Sequence, residues 1–400
     1  MKKVYIFFLM LATLQVTAQQ ADSVLSGGND VFYNLNTGDE TVVNKESWDI
    51  GFTTTGFDAS IITNETKGLK LYVYSNDTTQ WNSVDTSGFN FETNQLYNSD
   101  ENWENGAFAN LNVNFPDYGW GEYNSDNHYL NGTRLFLLEM TDGTIYQIHI
   151  VQLTSGGVFT VKIGSLGGAN TTYTQIAKGD YDTKNFVYFD VANRSIADLE
   201  PSKDSWQLLF TKYNTEIQPG VYYPVSGVKV NKGLMVAERT GVAVTNNDTN
   251  GLFWTDNITE IGYDWKTFNN STFQYEITSD LSYFVKNEKG DVWKIWFTDY
   301  SGGNYYFNVE KIAHNASVKR FELLNARVYP TPARDHITIE NSEAELAEIN
   351  IYTLEGQLLM STEIGALEMQ DMSVADMVPG FYIIRISSKN KQLVQRIIIE

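Results

Sequence analysis

The side chains that most often bind metals or move protons are scarce in this chain. Its 400 residues include four histidines and no cysteine. The histidines, at positions 128, 149, 314 and 336, lack the i, i+4 spacing that places two ligands on one helix face. The sequence also contains no Gly-x-Ser-x-Gly elbow and no glycine-rich phosphate loop. We therefore expect a protein that is not an enzyme. A carboxylate pair of the glycosidase type is the alternative left open, because Asp and Glu are plentiful.

One polar segment has a spacing that suits calcium. Residues 246–251, Asn-Asn-Asp-Thr-Asn-Gly, place oxygen ligands at alternate positions before a glycine, as in the first half of a calcium loop. The twelfth position, where such a loop has a bidentate Glu, is Asn257. A polar turn between two strands accounts for the segment equally well.

The charge balance limits the classes of partner. Lys and Arg total 28 against 49 Asp and Glu, which gives a formal net charge of −21. Such a chain repels phosphate backbones and anionic lipid heads, so nucleic acid is not an expected ligand. The acidity is typical of a soluble extracellular protein.

The N-terminal residues have the pattern of a secretory signal. Lys2 and Lys3 precede an apolar run from Val4 to Leu14, and small residues for cleavage end at Ala18. We predict a signal peptide over residues 1–18. The apolar run is shorter than the roughly 20 residues that a membrane-spanning helix needs, and no later segment is long and apolar enough, so no transmembrane segment is expected.

An internal repeat organises most of the chain. Val31–Leu35 is matched by Val187–Val191, and Ser47–Thr53 is matched by Ser205–Thr211. In both Trp-containing segments the large apolar residues fall at i, i+2 and i+4, which places them on one face of a strand. Further matched segments keep the same order: Lys67–Leu69 with Lys232–Leu234, Gly143–Ile148 with Gly290–Ile295, and Ser155–Gly157 with Ser301–Gly303.

These matches predict two tandem β domains. We place the copies at residues 22–179 and 180–319, each of ordinary domain size. Aromatic and β-branched residues dominate both copies, and Asn, Asp, Gly and Thr separate the runs, so the fold class is all-β. Each copy is expected to have its own core, with Trp48 and Trp206 buried at equivalent positions.

The last part of the chain carries three landmarks in a fixed order. They are Val328–Ala333, Ile349–Gln357 and Met377–Ile383. Their order and spacing resemble the type A C-terminal sorting domain of the Bacteroidetes type IX secretion system, over residues 327–400, although Thr331 stands where the family usually has Asn. The resemblance implies export across the outer membrane by the type IX secretion machinery, to the cell surface or the medium.

The residues of this region also predict a small Ig-like β-sandwich. Leu354–Gln357 lies between two apolar runs and has the composition of a hairpin turn. Phe381–Ile386 is a nearly continuous apolar run, which indicates a strand buried on at least one face.

A second resemblance concerns the repeat. The segments Ser205–Thr215, Tyr223–Asn231, Ile261–Lys266 and Val292–Trp296, together with Ser47–Phe52 in the first copy, resemble the HmuY-type domain of Bacteroidetes. That family is all-β and extracellular, and its founding members bind haem. The resemblance therefore implies a non-enzymatic binding protein with haem or a related porphyrin as its cofactor.

Haem binding requires axial ligands, usually His or Met, within an apolar and aromatic pocket. In the first copy the candidate cofactor-binding residues are His128 and Met140, and the second copy offers only Met235 and His314. The alternative function is a carbohydrate-binding or adhesion module, in which aromatic rings stack on sugars. One apolar pocket shared by His128 and Met140 would favour haem, and exposed coplanar aromatic rings would favour glycans.

Overall fold

The computed structural model describes residues 20–313, 322–353, 357–389 and 391–400. The chain divides into two compact units, Met1–His314 and Asn315–Glu400. The predicted signal peptide over 1–18, His314 and most of the predicted turn at 354–357 lie outside the described residues. Among the described residues, no helix is long and apolar enough to cross a membrane.

The first unit is built almost entirely of strands. They are β1 Gln20–Val24, β2 Asp30–Tyr33, β3 Glu40–Val43, β4 Ile50–Thr53, β5 Ile61–Thr63, β6 Lys70–Ser75, β7 Gln95–Leu96, β8 Gly121–Asn124, β9 Tyr129–Gly132, β10 Leu135–Glu139, β11 Ile145–Leu153, β12 Val158–Ser165, β13 Thr172–Ala177, β14 Phe186–Asp190, β15 Ser195–Ala197, β16 Leu208–Gln218, β17 Val221–Val230, β18 Met235–Arg239, β19 Lys266–Asn269, β20 Gln274–Ile277, β21 Ser282–Lys286, β22 Val292–Ser301 and β23 Asn304–Ala313. The α-helix α1 covers Phe91–Asn94, and short 3-10 helices cover Lys45–Ser47, Thr78–Ser83, Ala107–Ala109, Leu166–Gly168, Lys178–Tyr181 and Lys203–Ser205.

The predicted all-β class is confirmed. Side chains of β12 alternate as expected, with Phe159, Val161 and Ile163 buried on one face. The main sheets of this unit have the strand orders β1-β23-β22-β21-β18, β13-β12-β11-β10-β6-β7, β15-β14-β4-β5 and β17-β16-β2-β3. The hairpin β8–β9 joins the second of these sheets through β11, and β19–β20 forms a separate hairpin.

Strand pairing crosses the boundary that the repeat predicted at residues 179 and 180. The hairpin β2–β3 from the first copy pairs with β16 of the second, and β14–β15 from the second copy pairs with β4 of the first. The N-terminal strand β1 likewise pairs with β23, near the end of the unit. We call the continuous set β4–β15 the first module, and β16–β23 together with β1–β3 the second module.

Trp48 and Trp206 are buried, with 6% and 3% of their surface exposed. The prediction that they belong to two separate cores is wrong, because both lie in one apolar cluster. The sheet β15-β14-β4-β5 explains this: Ile50 and Phe52 face a cluster within the first module, whereas Trp48 packs on Tyr188 in the shared cluster. Trp48 lies outside β4, directly after the 3-10 helix Lys45–Ser47, so the alternation of β4 that places Ile50 and Phe52 on one face does not extend to it.

The second unit is a small β-sandwich, as predicted. Its strands are β24 Glu322–Leu323, β25 Ala326–Tyr329, β26 His336–Asn341, β27 Ala347–Thr353, β28 Leu358–Ile364, β29 Met369–Ser373, β30 Gly380–Ser388 and β31 Lys391–Ile399. They form sheets of order β24-β31-β30-β27-β28 and β25-β26-β29. One core holds residues of both sheets, including Ile337 and Ile339 from β26 and Ile384 and Ile386 from β30. The predicted strand at Phe381–Ile386 lies within β30.

Candidate functional site

The structure does not bring His128 and Met140 together. His128 directly precedes β9, whose Leu130 pairs with Leu153 at the end of β11. Met140 lies in the turn before β11, where its N–H donates to the carbonyl of Thr144 at 2.8 Å. His128 and Met140 therefore lie at opposite ends of β11, which contains 9 residues. At a rise of about 3.4 Å per residue, the two side chains are roughly 25–30 Å apart. They cannot bind the same iron.

His128 lies instead at the wall of a cleft in the first module. The cleft has a volume of about 730 Å³, and its lining is more apolar than polar. Its described lining residues are Thr54, Gly56, Phe57, Tyr118, Tyr123, His128, Leu130, Leu153, Thr154, Ser155, Gly156, Gly157, Lys178, Gly179 and Asp182. Met140 is not among them. An apolar concave surface of this size with a few polar groups is typical of small-molecule sites.

A buried lysine fixes one wall of the cleft. The Lys178 ammonium donates to the carbonyl oxygens of Thr55 at 3.2 Å, Gly56 at 2.9 Å and Asp58. These contacts hold the loop between β4 and β5, which carries the fully exposed ring of Phe57. Burial of the amine lowers the pKa of Lys178 to about 8. The ammonium is therefore a structural anchor of this wall.

The hairpin β8–β9 also contributes to the lining of the cleft. An ion pair and a buried indole beside it hold the hairpin in place. Both guanidinium NH groups of Arg134 contact the Asp117 carboxylate at 2.8 Å, and this hydrogen bonding lowers the pKa of Asp117. At the start of β8, the Trp120 indole donates to the carbonyl of Ala59 at 3.0 Å. The hairpin is thus anchored on two sides, which suits a preformed site.

Tyr123 and His128 form a polar pair on this hairpin. A hydrogen bond of 2.6 Å joins the Tyr123 hydroxyl to Nδ1 of His128. The backbone N–H of His128 donates to the carbonyl of Asn124 at 2.9 Å, and His128 has a φ of 60°. A positive φ is uncommon for residues other than glycine, and such conformations occur often at functional sites. Tyr123 was not identified from the sequence.

The second module contains the same hairpin with different side chains. Asn269 accepts from the N–H of Phe273 at 2.8 Å, as Asn124 accepts from His128, and Phe273 has a φ of 55°. The strand registers of the two hairpins also correspond, because Phe268 lies opposite Tyr275 in the same way that Tyr123 lies opposite Leu130. The second module therefore has Phe268 and Phe273 where the first has Tyr123 and His128.

The other residues singled out from the sequence lie elsewhere. Met140 packs against the core of the first module, and Met235 is half-buried in β18. His149 lies in β11, where burial lowers its pKa and Nε2 is 3.3 Å from the carbonyl of Gly132. His336 is exposed in β26 of the second unit.

The calcium-like segment at 246–251 contacts the positively charged side chain of a lysine of the same chain. The Lys294 ammonium donates to the carbonyl oxygens of Val244 and Asn246, the latter at 2.8 Å, and to Oδ1 of Asn247 at 3.0 Å. Asp248 accepts from Asn250 within the same turn. Oxygens that a calcium ion would use are thus hydrogen-bonded to protein donors, which favours the interpretation as a polar turn.

Comparison with known proteins places the C-terminal region in a described family. Residues 327–400 match the family model described as "Secretion system C-terminal sorting domain". This confirms the predicted sorting domain over the same residues. The protein is secreted or displayed at the cell surface, and the type IX secretion machinery is its partner in export. The resemblance of the first unit to HmuY-type domains stays a prediction.

Other comparisons are uninformative about the first unit. No curated protein matches the chain. A solved structure titled "Biofilm associated protein - BSP domain" is similar at 10% identity, over 97% of this chain and 67% of that chain. Its TM-score of 0.17 is too low to support an argument about fold or function.

Proposed function

We propose that this exported protein binds a planar, largely apolar ligand, haem or a related porphyrin, in the His128 cleft of the first module. The observation that carries the proposal is the cleft itself. Aromatic and aliphatic side chains, Phe57, Tyr118, Leu130 and Leu153, line a volume of about 730 Å³ that is large enough for a cofactor.

The residues of the cleft also fit the chemistry of haem. A porphyrin ring needs apolar and aromatic walls, and its iron needs a nitrogen, sulfur or oxygen ligand from the protein. Tyr123 and His128 supply the possible donors, since both line the cleft and are joined by a hydrogen bond of 2.6 Å. The iron would be held by this pair through one of its two side chains. The likeness of the repeat to HmuY-type domains supports the same ligand class.

The proposed activity is binding without catalysis. Among the described residues that line the cleft, Asp182 is the single carboxylate. A glycosidase requires two carboxyl groups on opposite sides of the scissile bond. The Lys178 amine is engaged with three backbone carbonyls, so its role in holding the loop accounts for its burial.

The exposed ring of Phe57 provides a test that does not disturb the core. The purified chain is titrated with haemin and with metal-free protoporphyrin, and quenching of tryptophan fluorescence reports binding. We expect Phe57→Ala to weaken the binding of both ligands by roughly tenfold, because loss of a stacked ring removes about 1–1.5 kcal/mol. Phe253→Ala, at a similarly exposed phenylalanine in the second module, is the matched control. Equal affinities for both variants would contradict the proposal.

A specific observation favours a carbohydrate-binding or adhesion function as the second candidate. Phe268, Phe273 and Tyr275 form an exposed aromatic group on the hairpin β19–β20, beside the amide of Asn269. The rings are not coplanar, since Phe268 meets Phe273 and Tyr275 at interplanar angles of 70° and 64°. Exposed aromatic rings with neighbouring amides can stack on sugar rings and hydrogen-bond hydroxyl groups. Binding to immobilised glycans that is lost in Phe273→Ala and retained in Phe57→Ala would support this candidate over the porphyrin.

A further inference from the structure

We infer that Tyr123, and not His128 or Met140, is the residue that ligates the iron, and that His128 positions Tyr123 and accepts its proton. The inference rests on the proposed function, since it names the ligand within the same cleft. It changes the assignment that follows from residue types alone, in which histidine and methionine are the expected ligands.

The geometry of the pair separates the two roles. Nδ1 of His128 lies 2.6 Å from the Tyr123 hydroxyl, so this nitrogen is engaged within the hairpin. Both residues line the cleft, but Tyr123 is half-buried and His128 is exposed. The half-buried side chain is better placed to meet a ligand that enters the cleft.

Tyrosine is an established haem ligand type, and a neighbouring base supports it. If the Tyr123 oxygen held ferric iron, its O–H proton would pass to Nδ1 of His128. The pair would then be a phenolate and an imidazolium with an unchanged net charge. Any ligand that free haemin carried on its iron would leave to solvent, and no electron would be transferred.

The chain itself contains a version of this hairpin without the pair. Phe268 and Phe273 take the two positions in the second module, with the same register and the same positive φ at the second position. The hairpin backbone therefore forms without Tyr123 and His128, and their hydrogen bond is not required for its conformation. The replacement also confines the iron-binding chemistry to the first module.

The test compares haemin with metal-free protoporphyrin, which fills the cleft but has no iron to ligate. The variants are Tyr123→Phe, His128→Phe and their combination, which reproduces the aromatic pair of the second module. Tyr129→Phe is the control, because Tyr129 lies in the same hairpin but does not line the cleft. The readouts are ligand affinity, the absorption spectrum, and the tyrosinate vibrations in the resonance Raman spectrum of the ferric complex.

We expect wild type and Tyr129→Phe to show tyrosinate vibrations, and Tyr123→Phe to lose them. Tyr123→Phe should bind haemin roughly 10–100-fold more weakly while its affinity for protoporphyrin stays unchanged. His128→Phe should keep the tyrosinate vibrations and shift them, because the phenolate loses its hydrogen-bond partner. A wild-type ferric spectrum in Tyr123→Phe would overturn the inference and leave the proposed function standing. Failure of the wild-type chain to bind either porphyrin would overturn both.

Discussion

The side chain of Gln207 accepts a hydrogen bond from the backbone N–H of Leu35 at 2.8 Å, across 172 positions of sequence. The reciprocal contact joins Asp49 to the N–H of Val191 at 2.7 Å. Gln207 and Asp49 follow the two repeated tryptophans directly, and Leu35 and Val191 end the two matched strand segments. Each copy of the repeat therefore fixes a strand end of the other copy.

This exchange makes the N-terminal strands part of the second module, and their removal tests it. A chain that begins at Asn44 lacks β1–β3, so β23 and β16 each lose one of their two neighbouring strands. We expect amide hydrogens in β16, β22 and β23 to exchange faster, while those in β11 and β12 stay protected. A peptide of residues 20–43 added in trans should restore protection. Unchanged exchange in β16 and β23 would contradict the strand assignment.

The two repeated tryptophans should contribute to one cooperative unit, since they share a cluster. Trp48→Ala and Trp206→Ala should each lower the free energy of unfolding by about 3–5 kcal/mol, because each leaves a cavity in a packed core. Denaturant unfolding of the single variants measures these costs. A tryptophan whose removal costs less than about 1 kcal/mol would contradict its burial.

A buried carboxyl group should make stability depend on pH. Glu200 is 2% exposed and accepts from the N–H groups of Asn185 and Phe186 at 3.0 Å and 2.9 Å. Burial raises its pKa from 4.5 to about 7. Between these values the folded state binds more protons than the unfolded state, so this contribution to stability is complete below pH 4.5 and is lost as the pH rises through 7.

The variant Glu200→Gln isolates this effect, because glutamine resembles the protonated acid and does not titrate. The free energy of unfolding of wild type, relative to the variant, should fall with rising pH by up to about 1.4 kcal/mol per pH unit. Chemical denaturation at several pH values between 4.5 and 7 measures it. Parallel pH profiles for the two proteins would show that Glu200 does not titrate in this range.

Export should depend on the last strand of the second unit. β31 pairs along its length with β30 and supplies Ile397 and Ile399 to the core of that unit. A chain that ends at residue 390 should therefore fail to fold its sorting domain and accumulate in the periplasm. Immunoblots of cell fractions measure this. Normal appearance of the shortened chain outside the cell would show that the domain has only a structural role.

Strand period and turn composition were sufficient to predict the all-β class, the burial of Trp48 and Trp206, and the sandwich over residues 327–400. The exchange between copies was not predictable, because Val31–Leu35 has the same side-chain pattern whichever copy it pairs with. The alternation of apolar and polar residues determines which face of a strand is buried, but it does not determine which strand lies beside it. The repeat therefore predicted the strand segments correctly, but it assigned Trp48 and Trp206 to two separate cores, which is wrong.

The candidate site was predictable only in part. Residue type selected His128 and Met140 as candidate ligands, and the length of β11 places Met140 at the opposite end of that strand from His128. Tyr123 was missed because tyrosine is abundant in this chain, with 24 copies. A usable signal existed in the matched hairpins, where Tyr123 and His128 align with Phe268 and Phe273. The two hairpins have the same length, and they differ in side-chain chemistry at these two positions.

If one porphyrin binds in the His128 cleft of the first module, filling that cleft with a side chain must abolish binding. Gly156 lines the cleft, and a Cβ added there meets only the Thr154 hydroxyl, at 3.8 Å. Gly156→Trp should therefore fold and fill the cleft, and Ser271→Trp, in the exposed turn of β19–β20, is its control. In calorimetric titrations we predict one protoporphyrin per chain in wild type and Ser271→Trp, and no binding heat in Gly156→Trp. Equal binding by all three proteins would show that the porphyrin does not bind in this cleft.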